Sequence, residues 1–531
     1  LGLGDGIAGR LDLQDVDWVR LEVAPGMRFT LSTEGTGADA VTDTVLVLMD
    51  AQGTEIATDD DGGPAFHASL AHRATAETYY AAVMSYETRH GYTPHDAGGY
   101  RLRLEPAPAP DAADAAKPVW PLDRIAEQLA HGYWDATGSA ARRFDIDLAA
   151  APAPIRVDLS GLAAPGRWHA ERALEAWEAA TGLRFATAPG PVAGPVAGPA
   201  DIVFDDTGPG AYAAATVGAD GITDSVRVNV ADSWVAGAEG RLDSYAYQTF
   251  LHEIGHALGL GHAGNYNDGA AGPPGYARDA AYANDSWQTS VMSYFSQAQN
   301  TALPASRAHV ATPMPADLLA IRLLYGTDGQ LRTGDTTYGS GGDAGDFFDR
   351  LGAQWGSMAF TLVDDGGTDR LDVSDTTADQ VIRLAPGAVS SLGGLVANMA
   401  IARGTWIEAA RSGGGDDRLS GNALGNALSG GKGADTLSGF RGADRLEGGR
   451  DDDRLFGGAG SDGLSGGGGG DHLSGGSGAD AVAGGDGDDD LRGGPDGDLL
   501  RGDAGDDSLF GQDGVDRLRG GDLEHRSLHA D

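Results

Sequence analysis

Gly457-Gly458-Ala459-Gly460-Ser461-Asp462-Gly463-Leu464-Ser465 is followed without a gap by Gly466-Gly467-Gly468-Gly469-Gly470-Asp471-His472-Leu473-Ser474. Both stretches obey one pattern, G-G-x-G-x-D-x-L-x. From Ser412 to Arg519 the chain divides into twelve such nonapeptides with no insertion or deletion. A fixed short period is the signature of a stacked repeat, in which each unit buries its apolar face only against its neighbours. The first six residues of a unit are expected to turn and the last three to form a short strand. The apolar residue at position eight, Leu437, Leu446, Leu455, Leu464, Leu473, Val482, Leu491, Leu500, Leu509 and Leu518, is expected to point inward. Two units make one coil, so aspartates eighteen residues apart stack on one side, Asp435 over Asp453 and Asp444 over Asp462. The expectation is a parallel β-roll over 412–520.

Stacked carboxylates at short range repel one another. An acidic Gly/Asp tract without a counter-ion is therefore expected to stay disordered. Ca²⁺, which takes roughly six to eight oxygen ligands, would turn the same side chains into ligands and binding energy into folding energy. The position-six carboxylates Asp417, Asp435, Asp444, Asp453, Asp462, Asp471, Asp480, Asp489, Asp498, Asp507 and Asp516 are the calcium candidates. Asn426 replaces one of them, Asp451 and Asp496 stand at position-four glycines, and Asp503 and Gln512 stand at position two. Those turns are expected to bind weakly or not at all.

The whole chain agrees with cation binding. It has 531 residues, a formal net charge of -41 and 85 glycines. That length suits three to four domains at about 150 residues each. A surface this acidic repels nucleic acid, which excludes polyanion partners. There are no cysteines, so neither disulfides nor thiolate-bound zinc can staple the fold. No apolar run approaches the roughly 20 residues a membrane helix needs. The stretch Leu1 to Arg10 lacks the basic and apolar regions of a secretory leader. The chain opens on Leu1 rather than Met, which is compatible with removal of a preceding segment.

Residues 1–105 read as all-β, with alternating runs at Asp17 to Val23, Arg28 to Ser32, Thr44 to Met49, Thr78 to Ser85 and Tyr100 to Leu104. An antiparallel β-sandwich is expected there. Asp59-Asp60-Asp61 reads as a solvated acidic turn rather than a calcium loop. A Pro/Ala/Asp-rich linker covers 106–118. Mixed α/β sequence follows over 119–328, with helices at His169 to Thr181 and Ser244 to Gly259 and strands at Asp201 to Phe204 and Ser225 to Val230. Residues 329–411 are β-rich and irregular, and 521–531 form a tail. The expected class is a multidomain α+β chain. His67, His72, His90, His95, His131 and His169 show no ligand spacing and read as surface or core residues.

The chemistry is concentrated in His252-Glu253-Ile254-Gly255-His256-Ala257-Leu258-Gly259-Leu260-Gly261-His262. On a helix, positions four apart share a face, so His252 and His256 can aim at one ion. Gly259 permits a turn that a Cβ would hinder, and that turn brings round His262. Three protein ligands leave an open position for water, as a catalytic zinc needs. Glu253 is placed to handle that water's protons.

This extended pattern is the metzincin signature, and Ser290-Val291-Met292-Ser293-Tyr294 supplies the methionine turn expected downstream. The sequence resembles the serralysin branch, on Ser244-Tyr245-Ala246-Tyr247-Gln248-Thr249, Gly264-Asn265-Tyr266-Asn267 and Asn284-Asp285-Ser286-Trp287. The resemblance spans roughly 119–519 and implies a secreted zinc endopeptidase from a Gram-negative cell. It implies Tyr294 as a further, displaceable zinc ligand that stabilises the oxyanion, and Met292 as a structural floor beneath the histidines. It also implies that Asp365-Gly366-Gly367-Thr368-Asp369 offers Gly367 and Asp369 to calcium. Protein or peptide substrates, export by a one-step (type I) machinery and a monomeric state follow from the same resemblance. The tail is expected to lack the family's longer β-rich cap. More loosely, residues 1–105 resemble the prepeptidase C-terminal accessory domain through Asp15-Val16-Asp17-Trp18 and Thr78-Tyr79-Tyr80. The competing readings are a non-enzymatic adhesin with a relic peptidase domain and a zinc hydrolase of non-peptide substrates.

Overall fold

The computed structural model describes residues 117–521 apart from 151–152, 188–199, 265, 267–274, 328 and 353, together with 527–529. In the N-terminal part it describes residues 2, 5–11, 16–23, 28–36, 44–49, 55–59, 69–73, 78–85 and 98–106. The chain forms two units, Leu1–Ala116 and Lys117–Asp531. Asp60, Asp61, His67, His90, His95, Asn265, Asn267 and nearly all of the 106–118 linker lie outside the described residues.

The first unit contains two four-stranded antiparallel sheets. One runs in the order Asp5–Leu11, Gly98–Pro106, Arg28–Gly35, Ser69–Arg73, the other Asp17–Glu22, Thr78–Ser85, Thr44–Met49, Glu55–Asp59. Side chains alternate between the faces of a strand. Leu46 and Leu48 accordingly join one cluster with Leu31, Tyr79 and Leu102, while Val47 turns the other way to Ala82 and Met84. The strands at 5–11, 55–59 and 69–73 are absent from the sequence reading because they carry little apolar alternation.

The second unit begins with a five-stranded sheet ordered Phe185–Thr187, Ile155–Gly161, Ile202–Asp205, Thr223–Val230, Ala211–Val217. Its last strand pairs antiparallel and the others parallel. Against it lie the helices Ala164–Thr181 and Tyr245–Ala257. The first starts earlier than the apolar spacing indicates, with Pro165 in its first turn, and stops where Gly182 turns left-handed at φ +78. Trp177 is fully buried and its indole N–H donates to the Leu251 carbonyl at 3.0 Å, tying the two helices together.

The repeats form two parallel sheets, one of nine strands and one of eight. Leu428, Leu446, Leu464, Val482 and Leu500 pair in register along one, and Leu419, Leu437, Leu455, Leu473, Leu491 and Leu509 along the other. All are buried. Three expectations need correction. Most repeat strands span six residues rather than three, as in Ala427–Lys432 and Gly463–Gly468, because the strand runs on through the first three residues of the next unit, whose second and third residues pair. The sheets also start upstream of 412, at Thr337–Gly339, Arg370–Asp372, Val381–Arg383 and Ala409–Arg411. Those coils keep inward apolar residues (Leu371, Ile382, Ala410) but not the nine-residue period that made the rest legible. Finally, Ser527–His529 in the tail pairs parallel with Ser508–Phe510.

The irregular repeats keep the backbone of the regular ones. Asp451, Asp496, Asp503 and Gln512 all hold left-handed φ values between +71 and +85, as does Phe440 at +72. One buried apolar cluster runs from Ile125 to Leu509, so the α/β part and the roll share a core. The strand His309–Val310 pairs parallel with Met358–Leu362 inside that shared region. Among the described residues no helix is long and apolar enough to cross a membrane.

Candidate active site

The helix Tyr245–Ala257 begins at Ser244, whose hydroxyl accepts from the Tyr247 N–H at 3.1 Å, an ordinary N-cap. It presents His252 and His256 on one face. The chain then leaves the helix through Gly259, at φ +101. A Cβ there would lie 2.1 Å from the Arg142 carbonyl oxygen, so only glycine fits. Trp134 Nε1 donates to the Gly259 carbonyl at 2.8 Å and the Tyr325 hydroxyl to the Leu258 carbonyl at 2.7 Å. This fixed turn returns His262 to the helix.

Ligand atoms of His252, His256 and His262 lie within 4.8 Å of one another, the one such trio of His, Cys or acidic groups found among the described residues. His256 Nε2 and His262 Nε2 are 3.0 Å apart. His252 Nδ1 faces the Val291 carbonyl and His256 Nδ1 the Leu260 carbonyl, each at 2.8 Å. Carbonyls only accept, so each Nδ1 carries the proton and each Nε2 presents a lone pair toward the others. Burial pulls His252 down to about 4 and His256 down to about 3, and it lowers His262 well below the usual range. All three are therefore neutral at pH 7, the form a metal takes. Bonding the second nitrogen to a backbone carbonyl is how histidine ligands are commonly oriented. The donor set fits zinc.

Glu253 is 5% exposed, and its Oε2 has no hydrogen-bond partner. Burial pushes its carboxyl up to about 8; a cation beside it would pull that value down. A cleft of about 290 Å³ opens over it, walled by Trp234, Tyr245, Trp287 and Tyr294 with His252 and Glu253 at its base. Met292 is fully buried under the helix, and a Cβ on Gly255 would sit 2.5 Å from its sulfur. Tyr294 is 38% exposed, its ring centre 4.7 Å from that of His262 and 5.8 Å from that of His252. The structure thus brings Glu253, His252, His256, His262, Met292 and Tyr294 together.

Two buried carboxylates at this site escape the sequence reading. Asp317 accepts from the Ser290 hydroxyl at 2.6 Å and from the Val291 and Met314 N–H groups at 2.8 Å. Asp285 accepts from the Tyr266 and Ser293 hydroxyls at 2.6 and 2.7 Å. Burial raises both to about 6 despite these bonds. Asp285 lay within a quoted motif, but nothing in its spacing marked it as buried.

In the roll, Asp417, Asp435, Asp444, Asp453, Asp462, Asp471, Asp480, Asp489, Asp498 and Asp507 are at most 3% exposed. One oxygen of each from Asp435 to Asp507 accepts the backbone N–H of the residue eighteen positions earlier, as in Asp435 to Asp453 at 2.8 Å. Asp417 accepts instead from the Gln380 N–H at 2.6 Å. The second oxygen of each has no partner. From Asp435 onward that oxygen lies over the glycine opening its own repeat, where a Cβ on Gly430 or Gly466 would come within 2.2 or 2.1 Å of it. Asp516 is less buried and accepts from the Asp498 N–H at 2.9 Å. Upstream, Asp369 is 1% exposed with a similar orphan oxygen, and Gly367 stands at φ +137 against the Gly334 carbonyl. Orphan oxygens in glycine-made cradles fit a hard cation. They do not converge in threes among the described residues, so backbone oxygens would have to complete any site.

Residues 327–507 match the family described as peptidase M10 serralysin C terminal, and residues 202–316 match the reprolysin-like metallopeptidase family M12B. The chain is similar to the serralysins. It is 42% identical over 188 residues to the metalloprotease AprA of Pseudomonas entomophila, covering 35% of this chain and 38% of that one. It is 40% identical over 187 residues to a serralysin of Photorhabdus luminescens, covering 35% and 38%. With serralysin C of Dickeya chrysanthemi it shares 42% identity over 177 residues, covering 33% and 36%. The chain thus spans under two fifths of the length of the curated serralysins it matches. A solved prepeptidase C-terminal domain of a Bacillus anthracis collagenase aligns at 23% identity over 20% of this chain and 91% of its own, with a TM-score of 0.16.

Proposed function

We propose that the protein is a secreted zinc endopeptidase of the serralysin kind, acting on protein or peptide substrates. The observation that carries this reading is the trio of histidine lone pairs, converged within 4.8 Å beside an unpartnered buried carboxylate. Bound zinc would supply Lewis acidity and an acidified water. His252 and His256 hold their rings in one tautomer through the Val291 and Leu260 carbonyls. Glu253, ionised beside a cation, accepts the proton of the attacking water and returns it to the leaving amine. Tyr294 donates its hydroxyl to the oxygen on which negative charge grows, where a preorganised donor is most effective. Trp234, Tyr245 and Trp287 wall the cleft in which the substrate would lie.

The roll is proposed to bind several calcium ions through Gly367, Asp369 and the position-six aspartates Asp417, Asp435, Asp444, Asp453, Asp462, Asp471, Asp480, Asp489, Asp498, Asp507 and Asp516. It folds once calcium is plentiful outside a Gram-negative cell, after export through a type I machine. Residues 1–105 are proposed to be a β-sandwich accessory module, and the protein to work as a monomer. An adhesin with a relic peptidase has no observation in its favour, since a relic has no need of a buried, unpaired Glu253.

Glu253→Gln tests the reading. It should bind zinc as the parent does and lose activity on casein by about 100-fold or more, the range of general-base removal. Unchanged proteolysis in that variant, or in protein stripped of zinc by a chelator, would remove the assignment.

A further inference from the structure

The methionine turn carries the tyrosine that faces the histidines, its ring centre 4.7 Å from that of His262. We propose that Asp285 is a positioning residue, which fixes Tyr294 through Ser293 and Tyr266. The inference rests on the reading of Tyr294 given above.

Asp285 is fully buried, and one of its oxygens receives both hydroxyls, Tyr266 at 2.6 Å and Ser293 at 2.7 Å. Each bond acts on Tyr294 by a separate route. Ser293 directly precedes Tyr294, and it is held at two points. Its hydroxyl goes to Asp285, and its carbonyl accepts from Trp287 Nε1 at 2.8 Å. The peptide leading into Tyr294 therefore cannot rotate without breaking a buried bond. Its hydroxyl also accepts from the Phe295 N–H at 3.1 Å, so the backbone is tied on both sides of Tyr294.

The second route is the ring. Tyr266 is 5% exposed and stacks on Tyr294, with ring centres 4.6 Å apart and planes at 27°. It meets Phe295 edge-on at 5.1 Å. Asp285 anchors the hydroxyl end of Tyr266, so the face on which Tyr294 rests has a fixed place. The space for this is made by Gly264, where a Cβ would meet the Tyr266 ring at 2.7 Å. Backbone and ring constraints converge on one carboxylate outside both segments. Loss of the carboxylate would leave in place the Val291 and Leu260 carbonyls that hold His252 and His256. Tyr266 and Ser293, and with them Tyr294, would gain freedom.

Asp285→Asn, Ser293→Ala, Tyr266→Phe and Tyr294→Phe separate these roles. Zinc affinity is read by competition with a chromophoric chelator. The placement of Tyr294 is read in copper(II)-loaded protein, from the tyrosinate-to-copper absorption band that a directly bound phenolate gives. Asp285→Asn should keep zinc affinity within about threefold, weaken or shift the band, and lower kcat about 10- to 100-fold with KM little changed, the usual effect of removing an outer partner. Tyr266→Phe keeps the ring and should act in the same direction to a smaller degree. Combined with Asp285→Asn it should add nothing, because both remove one linkage. If Asp285→Asn fails to fold, Ser293→Ala and Tyr266→Phe carry the same test. An unaltered band and kcat in Asp285→Asn, or in both single-hydroxyl variants, would overturn the proposal. So would losses that multiply in the double variant. Full activity and an unaltered band in Tyr294→Phe would instead remove the role given to Tyr294 itself.

Discussion

Stripping calcium from the roll should make its stability depend on pH in the opposite sense to that of most proteins. Burial holds Asp435, Asp480 and Asp489 at about 7 and Asp444 and Asp453 at about 8, with neighbouring aspartates adding to the effect and one backbone N–H opposing it. In an unfolded chain a carboxyl titrates near 3.9, and a factor of ten in a proton equilibrium is worth about 1.4 kcal/mol. Ionising one carboxyl in place therefore costs up to ~4 kcal/mol, a large part of the roughly 5–15 kcal/mol that holds a domain folded. Each folded carboxyl keeps a proton that the unfolded chain releases above about pH 4. Stability is thus fully present below about pH 4 and is lost as pH rises through 6 to 8. In the calcium-bound roll proposed above, the cation takes the place of those protons. Amide exchange across residues 427–510, corrected for the intrinsic pH effect, is the assay. Calcium-free protein should be protected at pH 5, lose protection between pH 6 and 8, and regain it at pH 8 on adding millimolar calcium. Equal or greater protection at pH 8 without calcium would refute the reasoning.

Gly259→Ala should abolish zinc binding or unfold the site, because the new Cβ meets the Arg142 carbonyl at 2.1 Å from a left-handed backbone; zinc content of the purified variant checks this. Leu464→Ala deletes a buried side chain from the stack and should destabilise the calcium-loaded roll by about 2–5 kcal/mol, measured by thermal unfolding at fixed calcium. A loss below 1 kcal/mol would mean that the core of the roll is looser than its register implies.

The sequence was most informative where one residue type is forced by geometry. The repeat period marked Leu437 to Leu509 as inward, because only stacking buries them. The helix spacing of His252 and His256, with glycine at 259, specified the histidine trio. Legibility ended where neighbours come from distant segments. The coils at 337–411 keep inward residues such as Leu371 and Ile382 but carry loops of unequal length, so no period remained to read. Asp285 and Asp317 looked like ordinary acidic residues. Their burial depends on Tyr266, Ser290 and Ser293 folding over them, which no local pattern states. Asp451 and Asp496 looked like defects, yet the coil holds them at positive φ, as it does the glycines of the regular repeats.

The parallel pairing of His309–Val310 with Met358–Leu362, inside one apolar cluster that reaches from Ile125 to Leu509, limits how this protein can be engineered. A gene cut after residue 328 would not release the part that carries the three histidines as a portable cassette. It would leave a strand without its mate and open the apolar cluster that Phe360, Leu362 and Met399 help to complete. Shortening should instead proceed coil by coil from the far end of the roll, where each removal exposes only the next rung.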